Sequence, residues 1–271
     1  MKISLAQWSL HRAIASGAMR GVDFPRHARE LFAIDAVELV NTLLESSDAA
    51  ALRAMRALAA DHAVAIPLLM VDDAGDLSAE AAREREEAVD HHRRWIDAAT
   101  TLGCSAMRVN TGAAERVSWD APLSSDAVRR ALDACTASCE RLCAIARPAG
   151  VDILLENHGG LSANIPAVVE ICRRLEGRNF GTLPDFGNCP PGADPYANVA
   201  ALMPHARAVS AKFHGFDALG NDTRVDIARM LDIVDRVAYR GWIGIEYEGD
   251  THCEVDGVRA AKMLLERLRP A

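Results

Sequence analysis

The chain of 271 residues carries 30 Lys and Arg against 38 Asp and Glu, a formal charge of -8, and half of its residues are hydrophobic. Such a chain can bury a sizeable core and does not read as disordered, and without a basic stripe it is a poor partner for long nucleic acid, whose phosphates supply most of that affinity. No apolar run approaches the roughly 20 residues of a membrane span and MKISLAQW has no leader pattern, so no membrane association and a cytoplasmic location are expected.

Short apolar or β-branched runs alternate with longer stretches of helical period along the whole chain. Strands are predicted near residues 2 to 8, 36 to 40, 64 to 71, 106 to 109, 152 to 156, 180 to 185, 208 to 214 and 242 to 247. Helices fall between them, near 25 to 33, 48 to 62, 78 to 102, 124 to 148, 164 to 175, 195 to 204, 224 to 239 and 257 to 268. Ser78 and Ser124 or Ser125 read as helix starts, and Gly103, Gly150, Gly177 and Gly241 as stops. Eight such units in 271 residues, with no linker between them, predict a single (β/α)8 TIM barrel domain over 1 to 271 better than a doubly wound sheet of five or six strands. No GxGxxG follows the first strand and no GxxxxGK[ST] occurs, so nucleotide binding has no support. Cys135, Cys139 and Cys143 recur every four residues and predict a buried small-residue stripe, not a thiolate metal site.

Four polar residues end apolar runs: Glu156 in DILLENHGG, Asp185 in FGTLPDFGN, His214 in VSAKFHGF and Glu246 in WIGIEYEG. They are 29, 29 and 32 residues apart, about one βα unit each, so each is expected at the C-terminal end of a consecutive strand, the end that carries barrel active sites. Three carboxylates brought together repel one another unless a cation joins them. With one imidazole they suit a single divalent ion such as Mn2+, Co2+, Mg2+ or Fe2+ better than a thiolate-rich zinc site would.

Further residues are placed to line a pocket at that rim. Lys212, one of three lysines, precedes His214 by two and should point the same way, toward a carboxylate partner such as Glu156 or Glu246. His158 shares the side of Glu156 and is a candidate substrate contact, as are Trp8 and His11 after the first strand, Asp72 after the third, and Arg108 and Asn110 on the fourth. Glu248 is a weaker alternative to Glu246 as ligand. His91 and His92, set among charges in EEAVDHHRRW, read as a solvated helix face.

With its LLENHGG, LPDFGN, AKFHGF and GIEYEG segments, the chain resembles the xylose isomerase-like sugar phosphate isomerase/epimerase superfamily along its full length. That group includes ketose 3-epimerases, inosose dehydratases and endonuclease IV-type nucleases. The resemblance implies that Glu156, Asp185, His214 and Glu246 bind one metal ion, and that Glu156 and Glu246 also shuttle a proton. One position departs: many epimerase relatives carry a histidine three residues after the metal-binding aspartate, and here Asn188 stands there. Asparagine can hydrogen-bond a sugar hydroxyl, which makes Asn188 a substrate-binding candidate, but it carries no proton near neutral pH. The function expected is a metal-dependent isomerase or epimerase of a small sugar, acting next to a carbonyl through an enediolate. The alternatives are a dehydratase of the inosose type and, further off, a non-catalytic sugar-binding barrel. An endonuclease needs more histidines on the strands than this acidic chain supplies. Relatives are commonly dimers or tetramers, so the resemblance admits a homo-oligomer.

Overall fold

The computed structural model describes residues 2–112 and 117–268. Its eight strands are β1 (Lys2–Ala6), β2 (Ala36–Val40), β3 (Ala65–Met70), β4 (Ala106–Val109), β5 (Asp152–Glu156), β6 (Phe180–Leu183), β7 (Val209–Phe213) and β8 (Trp242–Tyr247). They form one parallel sheet in the order β6-β5-β4-β3-β2-β1-β8-β7. The two ends of that order are joined by isolated parallel bridges, Thr182 to Ala206 and Asp185 to Ser210, so the sheet closes on itself. The predicted (β/α)8 barrel is therefore the observed fold, and every predicted strand is present.

Period-two alternation divides each strand between two environments. Outward residues such as Leu5, Val37, Met107, Ile153, Leu155, Phe213 and Ile245 join the large core shared with the helices. Inward Ala6, Val40, Leu68, Met70, Ala106, Leu154, Leu183 and Ala208 form a separate apolar cluster, with Trp8 and Leu43 packed against it. Burying a leucine such as Leu154 or Leu183 is worth about 1.5–3 kcal/mol, so this interior plug is the platform beneath the barrel mouth. The same alternation sends Glu38, Arg108, Glu156, Lys212 and Glu246 inward, all of them buried.

Four of the helices begin where a short polar side chain takes a first free N–H group. Ser125 caps α5 (Asp126–Ala146, counting α1 as His11–Ala15, α2 as Phe24–Phe32, α3 as Ala49–Asp61 and α4 as Ala82–Leu102) through Val128 N. Asn164, Asp194 and Asp226 do the same for α6 (Ile165–Arg174), α7 (Pro195–Leu202) and α8 (Ile227–Arg236), and α9 (Glu254–Arg267) ends the order. Ser78 is not a helix cap: its hydroxyl and N–H both bond Asp76 in a turn, and α4 starts four residues later. The cysteine stripe is as expected, with Cys135, Cys139 and Cys143 buried on α5 and all seven thiols free. His92 corrects the expectation of a solvated pair. It is 2% exposed, because the helical period groups it with Ala88, Val89, Trp95, Ile96 and Ala99 on the face of α4 that meets the barrel, and its Nδ1 bonds the Ala88 carbonyl.

Candidate active site

Glu156 ends β5, Asp185 follows β6 by two residues, and Glu246 lies one before the end of β8. Their ligating oxygens come within 4.8 Å of one another at the C-terminal mouth of the barrel. Asp185 is aimed by its own turn. Its Oδ1 accepts the N–H groups of Gly187 and Asn188 at 2.8 and 2.6 Å, which leaves Oδ2 to face the cluster. Asn157 clamps this turn, donating to the carbonyls of Asp185 and Asn188 and accepting from Asp185 N at 2.7 Å. Glu246 Oε2 accepts from the Ser210 hydroxyl at 2.9 Å.

Two cations serve these acids. The Arg108 guanidinium lies between Asp72, with NH1 to Oδ1 at 2.6 Å, and Glu156, with Nε to Oε2 at 2.9 Å. Lys212 Nζ stands 3.8 Å from Asp185, 3.7 Å from Glu246 and 3.3 Å from Glu248. Asn188 bridges the two halves, donating from Nδ2 to Glu156 at 3.0 Å and accepting from Lys212 at 3.0 Å.

Burial pushes the Glu156 carboxyl up to about 8; Arg108 opposes this, while Asp185 and Glu246 add to it. For Lys212 the burial that disfavours its charge is outweighed by Asp185, Glu246, Glu156 and Glu248, which hold it firmly as the ammonium. Burial would raise Asp72, but the charge and hydrogen bond of Arg108, with a further hydrogen bond from Asn110, keep it below its ordinary value. These groups therefore form one charge network, not independent side chains.

The donor set fits a divalent cation. Asp185 Oδ2 and His214 Nδ1 are buried without a hydrogen-bond partner, Lys212 Nζ standing 3.8 Å from that oxygen, beyond hydrogen-bond reach. A buried oxygen without a hydrogen bond is costly, and a hard cation is the partner three converging carboxylates suit. His214 is outside the mutual 4.8 Å grouping of the three acids. It follows the last residue of β7, its N–H bonds Asp222, and its ring lies beside Gly187, where a Cβ would be 3.0 Å from Cε1. Burial and Arg224 hold the imidazole pKa below its ordinary value, which favours the neutral form a metal needs. Glu248 lies apart from the cluster at the rim, with its side chain 30% exposed.

Among the secondary candidates, Trp8 stacks on His11 at 4.6 Å over the interior plug. Asn110 bonds Asp72 at 2.7 Å. His158 is exposed and borders two cavities: one of about 620 Å³ lined also by Asn110, Thr111 and His92, the other of about 280 Å³ lined by Asn157, Asn188 and Cys189. Sequence reasoning missed Ser210, the partner of Glu246, although it lies two before Lys212 on the same inward phase. It also missed Glu38, 1% exposed beneath the site, where Ser4 donates to it at 2.6 Å.

The profile of the xylose isomerase-like TIM barrel family matches residues 25–271. The chain belongs to that family. Its fold superposes on a D-tagatose 3-epimerase-like protein with a TM-score of 0.74, at 19% identity over 99% of this chain and 97% of the other. It superposes on a 3-keto-D-glucoside 4-epimerase from E. coli with a TM-score of 0.74, at 13% identity over 98% and 99%. A probable 3-DHS dehydratase from Bacillus anthracis gives 0.69, at 17% identity over 98% and 99%. At these identities the likeness is one of fold. Comparison with curated proteins gives no match. Among the described residues, no helix is long and apolar enough to cross a membrane.

Proposed function

We propose that the chain is a divalent-metal-dependent isomerase or epimerase of a small sugar or keto-sugar. The observation that carries this reading is the convergence of Glu156, Asp185 and Glu246 within 4.8 Å, with a buried oxygen of Asp185 and the nearby His214 Nδ1 lacking hydrogen-bond partners, at the rim of a sugar-epimerase-like barrel. These three carboxylates, with His214 closing the set, would hold Mn2+, Co2+ or Mg2+. When bound, such an ion polarises a carbonyl and its neighbouring hydroxyl and so acidifies the C–H between them.

The chain's own residues do the rest. Glu156 and Glu246 come from the fifth and eighth strands and would flank the substrate carbon, so that one removes the proton and the other returns it on the opposite face, by way of an enediolate. Arg108 holds Glu156 in place while leaving its second oxygen to Asn188. Ser210 fixes the Glu246 carboxylate by donating to it. His158, exposed between the two cavities, and Asn110 would bind sugar hydroxyls, and Trp8, packed on the interior plug, would meet the ring carbons. Asn188, Lys212 and Arg108 hold the site's acids and would also reach the substrate with their remaining donors.

The test is incubation with a panel of ketoses and keto-glycosides in D2O, with Mn2+ added. Deuterium should enter the carbon next to the carbonyl, and Glu156→Gln and Glu246→Gln should each stop it while retaining a folded barrel. Exchange at the wild-type rate in both variants would refute the two-glutamate mechanism. A second reading, loss of a β-hydroxyl after the same proton abstraction, draws on Asn188 in place of a proton-carrying histidine and on the dehydratase among the similar folds. A product lighter by one water decides for it.

A further inference from the structure

We infer that, without bound metal, the Lys212 ammonium occupies the cation's place in the site, and that Glu248 is the station to which it withdraws when a divalent ion binds. This rests on the reading of the three-carboxylate cluster as a metal centre and concerns how that centre is loaded.

Strand register brings the lysine there. Lys212 on β7 pairs with Glu246 on β8, so the two side chains enter the barrel at one level. The ammonium stands within 3.8 Å of carboxylate oxygens of both Asp185 and Glu246, two of the three acids of the cluster. It is 4% exposed, whereas Glu248 is 30% exposed at the rim. A divalent ion centred among the same acids would lie a few ångströms from that ammonium in a medium poorer in screening than water, and the two cations would repel strongly. Lys212 and the ion therefore compete for the same carboxylates.

The surroundings give the lysine a way out. Its stem is unbranched and has four rotatable bonds. Gly187 leaves that stem its space, since a Cβ there would be 2.9 Å from Lys212 Cγ. Glu248 Oε1 already lies 3.3 Å from Nζ, on the solvent side and outside the cluster. A small rotation keeps this one ion pair while breaking the contacts with Asp185 and Glu246. Asn188 follows the movement, because its Oδ1 loses the ammonium while its Nδ2 still holds Glu156. The position two residues beyond Glu246 thus has a purpose distinct from ligation.

Competition lowers the apparent affinity by the fraction of molecules in which the site is free. The experiment is calorimetric titration of the chelator-stripped full chain with MnCl2. Lys212→Met should bind Mn2+ about tenfold more tightly than wild type, and Glu248→Gln about tenfold more weakly. Once Lys212 is replaced, adding Glu248→Gln should change nothing. Lys212→Gln gives the same comparison if the methionine variant does not fold. Affinity unchanged or weakened on loss of Lys212 overturns the inference, as does an equal loss from Glu248→Gln with and without the lysine, which would make Glu248 a ligand. Wild type that binds no Mn2+ at all removes the metal reading itself, a result distinct from either.

Discussion

Replacing Glu38 by glutamine isolates the ionisation of one acid sealed inside the barrel. Glu38 points inward from β2 and accepts the Ser4 hydroxyl, and its carboxylate fills the space left by Gly244, where a Cβ would meet Oε2 at 2.4 Å. Burial, with a smaller push from Glu246 and against the Ser4 hydrogen bond, raises its pKa from 4.5 to about 7. An acid whose folded pKa lies above its unfolded one contributes stability that is fully present below the unfolded value and is lost as pH rises through the folded one. The window is therefore pH 4.5 to about 7. At about 1.4 kcal/mol per unit, the loss across it is on the order of 3 kcal/mol. Glutamine stays neutral and can keep the Ser4 contact, so Glu38→Gln should gain stability relative to wild type as pH rises through that window. For a chain of this size about 2–4 °C of thermal midpoint corresponds to 1 kcal/mol, which makes the relative gain roughly 6 °C or more between pH 4.5 and pH 8. Scanning calorimetry of both proteins across that range measures it. Parallel pH profiles would mean that Glu38 is not held protonated, and the reasoning would fail.

Asn188→Ala should slow substrate exchange while leaving metal content unchanged, since its amide bridges Glu156 and Lys212 without joining the three-acid cluster; metal analysis beside the D2O assay checks both halves. Arg108→Met strands Asp72 and Glu156 without their buried counter-ion, and loss of one partner of such a pair costs about 3–5 kcal/mol, read as a fall in thermal midpoint that Mn2+ partly restores. Because Glu156 must release its proton before it can ligate, apparent Mn2+ affinity should fall steadily as pH drops below about 8, with proton release measurable in buffers of different ionisation enthalpy.

Much of this architecture is legible in the amino-acid order, and the departures have physical causes. The strands are buried on both faces, so they read as uninterrupted apolar runs whose positions the spacing locates to within about two residues. The carboxylates Glu156, Asp185 and Glu246 stand out because each ends such a run. His214 does so too, but strands stop at different heights: β7 ends at Phe213, so Lys212 faces Glu246 and His214 starts the following loop. Counting residues between motifs gives no measure of that height. Glu38 sits in the middle of AVELV, and only the absence of a side chain at Gly244, more than two hundred residues away, makes room for it. Arg108 is visible as a pocket-lining cation, yet its double pairing with Asp72 and Glu156 depends on three strands meeting. His92 is misread from its charged neighbours, because burial follows the helical period and not the local composition.

The central claim, that these acids hold a divalent ion, is tested most directly by elemental analysis of the purified protein with Glu156→Ala, Asp185→Ala and His214→Ala. About one Mn2+, Co2+ or Mg2+ per wild-type chain, removable by chelator, is expected, with loss of the ion on removing either carboxylate and weakened retention in His214→Ala. Full occupancy in all three variants, or no ion taken up by the stripped wild-type protein, would contradict it.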